Sequence, residues 1–121
     1  MIVLDASALL AFLQGEPGTD DVEVALQDAA ACGAANWSEV AQKVRSVDGD
    51  WDLARALLLS YDLEVVDVTL ADAERAALAW QRGSGLSLAD RLCLALGDRL
   101  DAEVWTADRA WGEDGRVRQV R

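Results

Sequence analysis

Four acids in this sequence, Asp5, Glu39, Asp90 and Asp108, each fall near a point where one element gives way to a helix. Asp5 follows the apolar run Ile2-Val3-Leu4, and Glu39 comes soon after Cys32-Gly33-Ala34-Ala35. Asp90 lies three residues after Ser87, and Asp108 stands just beyond Glu103-Val104-Trp105. Taken singly, each has a capping explanation. Asp5 suits the N-cap of a helix from Ala6, and Asp108 suits a cap for a last short helix. Asn36-Trp37-Ser38-Glu39 and Ser87-Leu88-Ala89-Asp90 have the form of capping boxes, with Asn36 and Ser87 as caps.

Taken together they suggest a site. Ligands of an open parallel α/β sheet bind beyond the carboxyl ends of its strands, where all four acids are expected. Carboxylates gathered there repel one another unless protonated or neutralised. A divalent cation is the simplest remedy. An all-oxygen set suits Mg²⁺ or Mn²⁺, which keep several waters and bind through a few carboxylates plus substrate phosphate. Such a centre lowers the pKa of a water, orients it for in-line attack on phosphorus and stabilises the leaving oxygen. Ser7 and Thr106 lie two residues from Asp5 and Asp108 respectively, and their hydroxyls are candidates to orient a carboxylate or a water. The plainer reading is a first-turn helix hydroxyl for Ser7 and a β-branched strand end for Thr106.

Omissions narrow the chemistry. The chain has no histidine, which removes Ser-His-Asp and Cys-His catalysis and any His-ligated zinc or iron site. Its one lysine is Lys43, and no glycine-rich phosphate loop of the G-x-x-x-x-G-K form is present. Cys32 and Cys93, the only cysteines, sit among Ala and Leu and read as reduced core thiols of a cytoplasmic protein. The net charge of −11 opposes a broad grip on nucleic acid and favours a basic partner.

The elements that must position these residues follow from the pattern. At 121 residues, 52% hydrophobic and 27% charged, one domain over 1–121 is expected. No segment reads as a membrane span, and Asp5 interrupts the apolar start, against a signal peptide. Strand Ile2–Leu4 leads to a helix from Ala6 to Gln14, closed by Gly15 and Pro17. A second helical stretch runs over 18–31, then a short strand over Cys32–Ala35 and a helix from Asn36 to Val47. Trp51–Ser60 is helical, Leu63–Val68 is the clearest strand, and Thr69 caps a helix reaching Arg82. Ser87 caps a helix ending near Leu100, followed by strand Ala102–Trp105, a helical turn from Asp108 to Trp111 and an edge strand over Val117–Val120. Alternating signals of this kind argue for a three-layer α/β domain with a mainly parallel sheet.

The ordered segments Ile2-Val3-Leu4-Asp5-Ala6-Ser7-Ala8-Leu9, Asn36-Trp37-Ser38-Glu39-Val40, Leu86 to Ala95 and Val104 to Trp111 resemble a PIN domain of the VapC toxin type. The resemblance covers essentially the whole chain and implies a central parallel sheet flanked by helices. It further implies Mg²⁺- or Mn²⁺-dependent endonuclease cleavage of RNA. Asp5, Glu39, Asp90 and Asp108 would hold the metal or its waters, supported by Ser7 and Thr106. The family also implies a homodimer, and a heterotetramer or larger assembly with a VapB-type antitoxin whose basic tail enters the acidic site.

Arg109 and Arg91, each next to a motif acid, are candidates for substrate phosphate, with Arg116, Arg118 and Arg121 close behind. The plainer role for Arg91 and Arg109 is pairing with neighbouring acids. Most of the five tryptophans should be core or interface residues. The Ala-Leu patterning of Leu53–Leu59 and Ala76–Trp80 suggests faces buried against an antitoxin or a second copy. Two rival classes bear mention. An aspartate-nucleophile phosphatase would want a second Asp where Ser7 stands, and a receiver domain an early acidic pair and a late lysine. A non-catalytic module binding RNA or protein would use the acids only as caps.

Overall fold

The computed structural model describes all 121 residues. Five short strands, β1 (Ile2–Leu4), β2 (Ala30–Gly33), β3 (Glu64–Val66), β4 (Glu103–Thr106) and β5 (Val117–Gln119), form one sheet in the order β3-β2-β1-β4-β5. Every pairing is parallel, as the α/β alternation requires. Six helices connect them: α1 (Ala6–Gln14), α2 (Thr19–Asp28), α3 (Ala34–Ser46), α4 (Trp51–Ser60), α5 (Leu70–Leu78) and α6 (Leu88–Leu100).

Alternation along the strands divides the core between the two faces. Leu4, Cys32 and Trp105 join residues of α1 to α4 in the larger cluster. Val3 and Val104 point the other way and pack with Cys93 and Leu96 of α6. Close packing on that side depends on Gly97, where a Cβ would collide with the Val104 side chain. Helix α5 lies against α6, completing three layers. No helix is long and apolar enough to cross a membrane.

Several boundaries differ from the sequence reading. Strand β2 begins at Ala30, because Ile2 and Val3 pair with Ala30 and Ala31; this pairing takes residues whose alanines favour helix. Helix α3 consequently starts at Ala34 with Gly33 as its N-cap, so Asn36 is not a cap and Glu39 lies beyond the first turn. Helix α5 stops at Leu78 rather than near Arg82, since residues 77–83 are all exposed and bury nothing that would sustain it. Thr69 and Ser87 do cap α5 and α6, each in a reciprocal capping box with the acid three residues on. Trp51 and Trp105 are buried, and Trp37 packs on Trp51 edge to face at 5.2 Å. Trp80 is exposed, along with Leu53, Leu57 and Leu78 on the surfaces expected to meet a partner.

Candidate active site

The strand order reverses between β1 and β4, and a crevice opens beyond their carboxyl ends. Asp5 leaves β1 on one side of this point, with its N–H donating to the Trp105 carbonyl of β4. Thr106 ends β4 on the other side, and Asp108 begins the 3₁₀ turn over Arg109–Trp111. Glu39 on α3 and Asp90 in the first turn of α6 complete the group. All four acids line one open cavity of about 420 Å³, together with Ser7, Leu10, Gln42, Lys43 and Ser46.

Asp5 is the anchor. It is 3% exposed and caps α1, its Oδ1 accepting from the Ala8 N–H at 2.8 Å. Ser7 Oγ donates to the same carboxylate at 2.8 Å, and Thr106 Oγ1 donates to Oδ2 at 2.6 Å. The two hydroxyls are themselves pinned: the Ala107 N–H donates to Ser7 Oγ and the Asp108 N–H to Thr106 Oγ1. Ser7 and Thr106 thus fix the orientation of Asp5, and Thr106 links it to Asp108.

Burial raises the Asp5 carboxyl from 3.8 to about 6. Bonds from Thr106, the Ala8 N–H and Ser7 offset part of this, and the charge of Asp90 adds to it. Glu39 is raised as well, first by burial; Asn36 Nδ2, donating at 3.1 Å, works against the rise, and Asp90 reinforces it. Asn36 is fully buried and also donates to the Ala89 carbonyl, tying α3 to the start of α6. Burial also pushes up the Cys32 and Cys93 thiols, which are free, buried and further raised by the nearby acids.

The capping roles coexist with this convergence. Asp90 accepts from the Ser87 N–H and Asp108 from the Ala110 N–H, each through one oxygen, leaving the other oxygen free of helix duty. A divalent cation fits the donors present, which are hard oxygens without a neutralising ion pair. No three acids are grouped tightly enough to hold an ion by themselves, so a cation bound here would have to keep several waters, as Mg²⁺ does.

The arginines singled out in the sequence do not join the site. One step along a helix rotates a side chain by about 100°, so Arg91 turns away from Asp90. Its Nη1 donates to the Ala76 carbonyl at 2.7 Å, in the groove between α5 and α6. Arg109 is exposed on the 3₁₀ turn and does not line the cavity. Arg116 pairs with Asp98 and Asp101, Arg121 pairs with Glu16, and Arg118 covers the Trp105 ring at 4.2 Å. Sequence reasoning missed Gln42, Lys43 and Ser46. Their signal was the spacing from Glu39, three, four and seven residues on, which puts them on one helix face.

No functionally curated protein matches the chain by sequence. Solved structures do match over nearly its full length. A toxin–antitoxin complex from Klebsiella pneumoniae aligns with a TM-score of 0.81 at 17% identity, covering 100% of this chain and 98% of that one. VapC20 of Mycobacterium tuberculosis, described as a Sarcin-Ricin loop cleaving toxin, aligns at 0.76 and 17% identity over 97% of each chain. VapBC2 from Rickettsia felis, bound to a DNA fragment from its promoter, aligns at 0.71 and 16% identity over 98% of each. Residues 2–113 match the PIN domain model, and with the parallel sheet and the acids at its carboxyl edge this chain belongs to the PIN domain family.

Proposed function

We propose that the chain is a divalent-cation-dependent endoribonuclease of the VapC type, the toxin of a toxin–antitoxin pair acting in the cytoplasm. The observation that carries this reading is the convergence of Asp5, Glu39, Asp90 and Asp108 on one cavity, with Asp5 buried and in no ion pair. Mg²⁺ or Mn²⁺ held by these acids would offset phosphate charge and acidify a water for attack on phosphorus. The protein's own part is placement. Asp5 is held by Ser7, Thr106 and the Ala8 N–H, Glu39 by Asn36, and Asp90 by the N-terminus of α6. Asp108, whose N–H donates to Thr106 Oγ1, lines the same cavity.

The toxin–antitoxin complex of Klebsiella pneumoniae and VapBC2 of Rickettsia felis share this fold, which supports an antitoxin as partner. A net charge of −11 and exposed Leu53, Leu57, Leu78 and Trp80 suit a basic, partly apolar partner segment and a homodimer within a larger assembly. The rival reading, a non-catalytic module, draws on the helix caps made by Asp5, Asp90 and Asp108. Capping gives no reason to bury Asp5 among other acids.

The test incubates the purified chain, freed of antitoxin, with total cellular RNA in EDTA, Mg²⁺ or Mn²⁺. Asp5→Asn and Asp90→Asn serve as controls, with folding checked by circular dichroism. Discrete fragments that need metal and vanish in both variants are expected. Folded variants that cut as well as the parent would remove the site assignment.

A further inference from the structure

We propose that Lys43 is an RNA-backbone contact, its ammonium taking the phosphate next to the one that is cleaved, so that the strand leaves the acids along α3. This rests on the ribonuclease reading above. The site has an electrostatic difficulty: four acids line the cavity of a chain whose net charge is −11, and polyanionic RNA must enter it. Of the residues lining that cavity, Lys43 alone is basic.

Its placement is set by the helix. Lys43 follows Glu39 by one turn, and Gln42 and Ser46 complete the same face. These three side chains make a polar strip leading away from the acids. A strand whose cleaved phosphate sits at the carboxylates has its next backbone group over this strip, within reach of a four-carbon stem carrying a compact charge.

Lys43 is also uncommitted. Glu followed four residues later by Lys is the favourable order for a helical ion pair, yet Glu39 bonds to Asn36 and no ion pair forms with Lys43. Most other cations are spoken for: Arg75, Arg99, Arg116 and Arg121 by acids, Arg91 by a carbonyl, Arg82 and Arg118 by tryptophan rings. Complementing the C-terminal end of α3 does not require Lys43, because Arg45 stands in the same last turn and lines no part of the cavity.

The test measures binding of a fluorescein-labelled, mixed-sequence single-stranded RNA to Asp90→Asn protein by anisotropy, across a salt series, with and without Lys43→Gln. Kinetics of the otherwise unmodified enzyme bearing Lys43→Gln or Lys43→Arg run alongside. Loss of one phosphate contact on single-stranded RNA should make the slope of log K against log salt shallower by about 0.7. Affinity should fall by roughly fivefold, KM should rise by a similar factor with kcat within about twofold, and arginine should restore both. An unchanged slope and affinity, or Asp90→Asn protein that binds no RNA, overturns the proposal. A lysine that merely offset the acids would alter the melting temperature and leave the salt slope alone, which also overturns it. A Lys43-dependent slope in a protein that cleaves nothing with any metal upholds the phosphate contact and removes the nuclease reading.

Discussion

Asp5 and Asp72 are the two buried carboxylates of this molecule, 3% and 4% exposed, and both sit at the start of a helix. Their surroundings are opposite. Asp72 completes the capping box of α5 and receives Arg99, with Nε to Oδ1 and Nη2 to Oδ2 both at 3.0 Å. Burial alone would raise it, but the Arg99 and Thr69 bonds outweigh burial and hold its carboxyl below the ordinary value. Asp5 receives two hydroxyls and an N–H but no cation, and burial lifts it to about 6. Burial of an acid therefore says little by itself. The missing counter-charge is what separates a residue that holds the fold from one that stores a cost a ligand can relieve.

The sharpest way to test that contrast is to neutralise each acid. Asp5→Asn should lower RNA cleavage by about 1,000-fold or more, since the variant loses the anchoring ligand of the cation. It should at the same time raise the stability of the metal-free protein at pH 8. A rise in pKa from 3.8 to about 6 corresponds to about 3 kcal/mol at about 1.4 kcal/mol per unit, and a gain of about 2 kcal/mol allows for relaxation. Denaturant unfolding in EDTA reads this directly. A variant less stable than its parent at pH 8 would make Asp5 another structural acid and erase the contrast.

The pH dependence differs in sign between the two. Asp5 is raised in the fold, so as pH climbs from 3.8 through about 6 the unfolded chain ionises first and native stability is lost. Asp72 is lowered, so its contribution is present above 3.8 and disappears as pH falls through its folded value. Mg²⁺ should therefore raise the melting temperature at pH 8 much more than at pH 4.5, by the equivalent of about 2.7 kcal/mol at a hundredfold excess over Kd. Asp5→Asn should abolish most of that response. An equal Mg²⁺ shift at both pH values, retained in the variant, would place the cation elsewhere.

Asp72→Asn should act in the reverse direction. Losing the charged cap and the paired Arg99, itself about one-third exposed, should cost about 2 kcal/mol at pH 7. Cleavage per folded molecule should stay within about twofold, because Asp72 lies on α5, away from the acid cavity. Urea unfolding paired with single-turnover cleavage separates the two quantities.

How much of this was legible in the sequence depends on range. Asp5, Ser87 and Thr69 declare their helix starts through neighbours within three residues, and Ile2-Val3-Leu4 and the Val-rich run before Thr69 declare their strands. The edge on which the four acids meet followed from the α/β alternation alone. Ala30 and Ala31 read as the end of a helix and join Cys32 and Gly33 in a strand only through pairing with β1 and β3. That shift unmade the apparent capping box at Asn36, whose amide instead reaches Ala89, 53 residues away. Adjacency misled at Arg91, a neighbour of Asp90 in the chain that faces α5 in the fold. The opposite fates of Asp5 and Asp72 were invisible, because Arg99 lies 27 residues beyond Asp72 and no local pattern announces it.

The hydroxyls around Asp5 offer the finest test. Thr106→Val keeps the shape and removes the O–H that donates to Oδ2 at 2.6 Å, the strongest of the bonds restraining the rise of Asp5. Asp5 should then ionise only at higher pH, and the Asp108 N–H loses its acceptor. Cleavage at pH 7 should fall by about tenfold, within the range seen when a ligand loses its supporting hydrogen bond. The acid limb of the pH–rate profile should also move to higher pH, so that part of the loss returns as pH is raised. Ser7→Ala should do the same more weakly, by about threefold, since its bond to Asp5 restrains the carboxyl less. A loss uniform across pH would mean that Thr106 merely packs the end of β4. A loss that shrinks with rising pH would show that it sets the charge state of the one buried acid the fold leaves unpaired.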